Sequence, residues 1–135
     1  MSKSNFTEVE TLKYFLTNGV MAARPTAWFA SLHTADPGDT GAAEVAGAGY
    51  SNYARVAVTF AAPTSVDAGP STTSNTAALS YPALSGTGVT VTHCAVYDAL
   101  TAGNMLYAGP LDVAKALVAG EVLSFAAGEL KPTEA

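Results

Sequence analysis

The sequence predicts a mainly β protein: a single antiparallel β-sandwich, jelly-roll or Greek-key-like, with one α-helix at its N-terminus. Three observations lead there. Six or seven short β-favouring stretches are separated by turn signals, and no helical pattern interrupts them after Pro25, which favours antiparallel sheets over an α/β arrangement. The clearest stretches alternate apolar and polar residues with a period of two. The length of 135 residues suits one domain with one two-layer core.

The helix is expected over Thr7 to Asn18. Thr7 and Glu10 have capping-box spacing, Val9, Leu12, Leu16 and Val20 fall near one face, and Asn18-Gly19 supplies a left-handed stop. Tyr14 and Phe15 widen that apolar face beyond what a small solvated helix needs. Residues 1–23 therefore read as a helical segment that packs across the sandwich or on a neighbouring subunit, and residues 24–135 as the β domain.

The first strand is expected at Thr26 to His33, with Trp28, Ala30 and Leu32 on one side, ending in the Pro37-Gly38 turn. Arg55 to Phe60 alternates cleanly, Val56, Val58 and Phe60 facing the core and Arg55, Ala57 and Thr59 facing away. Pro63 to Thr73 has the composition of a surface loop, and Asn75 to Tyr81 resumes the period of two through Ala77, Leu79 and Tyr81. Val89 to Tyr97 is the longest β-branched run and reads as a central strand, joined by a short turn to Met105-Ala108 as a hairpin. Leu111 to Leu117 and Glu121 to Phe125 are further strands, and Lys131 to Ala135 reads as a short exposed tail.

Composition narrows the function classes. Charged residues make up 13% of the chain against roughly 25% in average globular proteins, so other chains are expected to cover part of the surface. A net charge of -5 with few, scattered basic residues argues against binding nucleic acid, which needs a Lys/Arg patch. The N-terminus does not read as a secretory signal, and no stretch approaches the roughly 20 apolar residues of a membrane span, so no membrane partner is expected. A single cysteine, Cys94, excludes an intrachain disulfide.

Catalytic chemistry has little to work with. His93 and Cys94 are adjacent on a strand, point to opposite faces, and cannot serve as base and nucleophile; Cys94 reads as an inert core residue. Asp36 and Asp39 flank a turn and read as turn caps without the pattern of a calcium loop, so no metal site is expected. Gly47-Ala48-Gly49 resembles the start of a phosphate-cradling loop but leads into a strand, so no cofactor is expected. Glu44, Glu121 and Glu129 would revive an enzyme only if two of them faced each other across a cleft. Tyr50 and Tyr53 are the aromatic residues expected to be exposed, and so the expected contacts for a glycan or a partner.

Several segments resemble a family of small virion proteins of tailed phages and prophages. They are Leu32-His33-Thr34-Ala35-Asp36-Pro37-Gly38-Asp39-Thr40-Gly41, Glu44-Val45, Gly49-Tyr50, and Tyr53 through Phe60. Ser74-Asn75-Thr76-Ala77, Val91-Thr92-His93, Ala95 through Ala99 and Gly103 through Ala108 extend the likeness over most of the chain after Pro25. The family's direct Gly-Tyr-Ala-Arg segment is interrupted here by Ser51-Asn52-Tyr53, a departure expected to alter a loop surface only. Members are variously named head-decoration, head-spike base or tail-fibre proteins. The resemblance implies a non-enzymatic virion protein made in the host cytoplasm. The leading expectation is a capsid decoration or cement protein on the capsid exterior, binding the major capsid protein as a homotrimer. The alternative is a tail-fibre, head-fibre or spike component that binds a host surface glycan.

Overall fold

The structure, a computed structural model, describes residues 1–66 and 69–134. Strands β1 (Ser2–Lys3), β8 (Met105–Leu117), β7 (Val89–Tyr97), β2 (Trp28–His33) and β3 (Val56–Val58) form a five-stranded sheet in that order. A three-stranded sheet orders β10 (Thr133–Glu134), β5 (Gly69–Thr72) and β4 (Thr64–Val66), and β6 (Leu79–Ser80) pairs with β9 (Ser124–Phe125). Every pairing is antiparallel. The result is the expected mainly β, sandwich-like body with one helix, α1 (Asn5–Leu16).

Val89–Tyr97 is the central strand its composition announces, flanked by β8 and β2. Its hairpin partner is longer than expected, because Met105–Ala108 and Leu111–Leu117 fuse into one strand through Pro110. The cost of a proline inside a strand appears in the register: Val91 opposes Lys115 while His93 opposes Pro110, so the ladder bulges there. The core is built from Ala30 and Leu32 of β2, Val58 of β3, Val91, Cys94 and Val96 of β7, and Leu79, Tyr81, Leu84, Leu123 and Leu130 from the covering segments.

Three expectations are corrected. The stretch 63–73 is not a loop: Thr64 pairs with Thr72 across a hairpin, while residues 67–68 lie outside the described residues. Gly69 and Pro70 lie within β5 itself, and the threonines beside them supply β-branched residues to the edge strands. The C-terminal stretch is not a free tail, since Thr133 pairs with Thr72, and Glu134 accepts a hydrogen bond from the Tyr107 hydroxyl and pairs with Lys3 at 2.5 Å; Ala135 lies outside the described residues. These contacts tie the two larger sheets together at one edge.

The third correction concerns the helix. Its N-cap is Ser4, whose hydroxyl accepts from the Thr7 amide at 3.3 Å, so Thr7 is the third helical residue instead of the cap. It ends at Leu16 in extended backbone at Thr17, without a left-handed Asn18-Gly19 stop. Residues 1–4 belong to the β body: Ser2 pairs with Ala108, Lys3 with Tyr107, and Ser4 is buried.

Candidate functional site

The polar groups of the body converge on one interlock. Arg55 alternates away from the core strand face, and its guanidinium meets Glu44 in a bidentate pair, Nε to Oε1 at 2.8 Å and Nη2 to Oε2 at 2.7 Å. Its Nη1 donates to the carbonyls of Ala99 at 2.8 Å and Ala102 at 2.7 Å, and the group lies 3.5 Å from the centroid of the Tyr97 ring. Tyr53 donates to Glu44 at 3.1 Å and accepts from the Leu32 amide at 3.0 Å. One charge pair thus binds the 34–55 connection, β2 and the β7–β8 turn to each other.

His33, fully buried, completes it. Its Nδ1 donates to the Ala42 carbonyl at 2.7 Å, which leaves Nε2 to accept from Ser31 at 2.9 Å, and its ring stacks on Tyr97. Burial pushes its pKa down. For Glu44, burial works to raise the pKa, but the hydrogen bonds and charge of Arg55 outweigh it and hold the carboxyl below the usual range. Gly41, at φ 78°, lies where a side chain would run into the Tyr97 hydroxyl, so its identity is fixed by that close approach.

The residues singled out from sequence fall mostly into structural roles. Tyr50 is not exposed: it is fully buried, and its hydroxyl donates to the Pro82 carbonyl. Tyr53 is half-buried and packs between Tyr50 and Tyr81. The aromatic platform expected of this pair is therefore turned into the core by the short turn η1 (Gly47–Tyr50). That turn is held through its carbonyls, Ala48 accepting from the Thr87 amide and Gly49 from Gly88, so it does not present a cradle of amides. Asp36 caps Gly38 at 2.9 Å, as a turn residue should.

His93 bonds its neighbour Thr92 at 2.8 Å, and Cys94 is buried with its pKa pushed up to about 12 by desolvation. Glu121 and Glu129 each accept from a backbone amide three residues back, at Val118 and Ala126. Among the described residues no group of His, Cys, Asp and Glu is placed to hold a metal ion.

What sequence reading missed is the orientation of α1. Its polar residues Thr7, Glu10, Thr11 and Lys13 are the partly covered ones, and Thr7 donates to the Leu106 carbonyl at 2.9 Å. The apolar positions face solvent: Leu12 is 54%, Phe15 73%, Leu16 74% and Val20 91% exposed, and Tyr14 and Phe15 form an exposed edge-to-face pair. Of the helix, only Phe6 packs against the core cluster. The apolar face was readable; the side it would turn to the body was not, because amphipathicity alone does not say which chain covers a face.

Beside the root of this arm an open cleft of about 530 Å³ separates the five-stranded sheet from the three-stranded one. Trp28, Val96, Leu106 and Tyr107 line one wall, and Phe60 and Pro132 are on the other.

The fold and site define a small β scaffold whose Glu44–Arg55 pair is committed to its own loops and whose N-terminal arm exposes a run of large apolar side chains. The chain belongs to the family of the podophage GP4 fiber I protein gp80, whose family model matches residues 2–133. It is thus a phage fibre-type structural protein. No curated protein matches the chain.

Proposed function

We propose that the chain is a structural module of a fibre on a tailed-phage particle, with the β body as a rigid unit and residues 5–21 as its assembly face. The observation that carries this is the inverted helix, which leaves its apolar side for another chain to cover. The family description supports a fibre in preference to the capsid decoration expected from sequence, with its contacts to the major capsid protein. Host-glycan binding by Tyr50 and Tyr53 is not adopted, since Tyr50 offers no accessible ring.

Immunogold labelling of intact particles with antibodies to this chain tests the location. Label on fibres is expected. Label spread evenly over the head would count against the fibre reading and restore capsid decoration.

A further inference from the structure

We infer that the arm of one copy docks in the cleft of a second copy of this chain, making a head-to-tail self-association. This goes beyond the fibre reading and stands whether or not the fibre location holds. Both surfaces sit on the same chain and share a rim. The arm leaves the body where the Ser4 amide donates to the Leu106 carbonyl at 3.0 Å, and returns at Trp28; Leu106 and Trp28 both line the cleft.

A copy does not fill its own cleft with these apolar residues. The arm is pinned with its polar side inward by Thr7, which donates to the Leu106 carbonyl at 2.9 Å, while within the arm Glu10 accepts from Lys13 and from the Ala22 amide at 2.7 Å each. Seven large apolar side chains from Val9 to Met21 are between 42% and 91% exposed, an apolar run that a soluble chain ordinarily covers.

Charge fits as well. Glu8 is exposed on the outward side of the helix between Phe15 and Leu12, and Arg24 is exposed at the cleft with no ion pair among the described residues. Because arm and cleft are different surfaces, the contact is heterologous, and such contacts close into rings or continue as filaments.

Sedimentation velocity of the full chain across a concentration series tests this with two exposed substitutions, Leu16→Glu on the arm and Ala62→Trp in the cleft. Wild type is expected to associate and each variant to remain monomeric with an unchanged circular dichroism spectrum. An equimolar mixture of the two is expected to form a dimer, since one variant retains its arm and the other its cleft. A wild type that stays monomeric would overturn the inference and leave the arm to a different virion protein. Variants that associate like wild type, or a mixture that stays monomeric, would overturn it too, and association kept by Ala62→Trp alone would point to arm-on-arm pairing.

Discussion

Arg55 makes four hydrogen bonds and a ring contact from a side chain that is 7% exposed, while its partner Glu44 is 25% exposed. Lysine would keep the charge but lose the fork and the simultaneous reach to two carbonyls. Arg55→Lys is expected to lower unfolding stability by about 2–3 kcal/mol, less than a fully buried pair would lose because Glu44 is partly solvated. An unchanged urea midpoint would contradict the interlock. Acid should weaken it in two stages. His33 is neutral when folded with its pKa lowered, so its contribution is full above about pH 6.5 and declines as pH falls and the unfolded imidazole takes a proton. Glu44, also lowered, contributes above about pH 4.3 and loses this as pH falls further through its folded value. His33→Gln is expected to flatten the first decline and leave the second, read as urea midpoint against pH. Cys94, buried with a raised pKa, should stay unreactive to a thiol reagent until the chain is unfolded; rapid labelling of the native protein would contradict its core placement. The residues that carried the family likeness, His33, Glu44, Tyr53, Arg55 and Tyr97, prove to be these interlocking groups. Their types were visible in sequence, but their partnership was not, since Arg55 meets Glu44 and Ala99 only through the fold.

At the scale of elements, the periodic segments were the legible ones. Val56, Val58 and the long central strand fall where alternation places them, and the β7–β8 turn joins them to Met105 as expected. Composition misled where pairing decides the conformation: the stretch 63–73 and the C-terminus form edge strands because each finds a backbone ladder, which no local residue preference announces. The helix N-cap was missed by three positions because Ser4 makes contacts in two directions. Its hydroxyl caps Thr7 and also donates to the Met105 carbonyl, so one buried side chain fixes both the start of α1 and its anchorage on β8. Ser4→Ala is expected to cost about 1–2 kcal/mol, combining a lost cap with an unsatisfied buried carbonyl. Thermal unfolding with a circular dichroism readout checks this, and an unshifted midpoint would detach the helix start from that anchor.

At the scale of the molecule, a low charge content and an unusual surface tell one story. With 13% charged residues, the chain commits Glu44 and Arg55 to an internal pair and Lys3 and Glu134 to joining its sheets. Its arm is left apolar on the outside. The expectation that other chains cover part of this surface was readable from composition, but the surface itself was not, because the order β1-β8-β7-β2-β3 and the root of α1 on β8 depend on pairings as distant as Phe29 with Tyr97. The most direct measurement is cryo-electron microscopy of the intact particle at a resolution that traces this chain. The expected result is density in a fibre, with the outward face of residues 5–21 covered by another protein chain. Copies arrayed over the head, or a fibre in which that face is bare to solvent, would contradict the assembly role assigned to it.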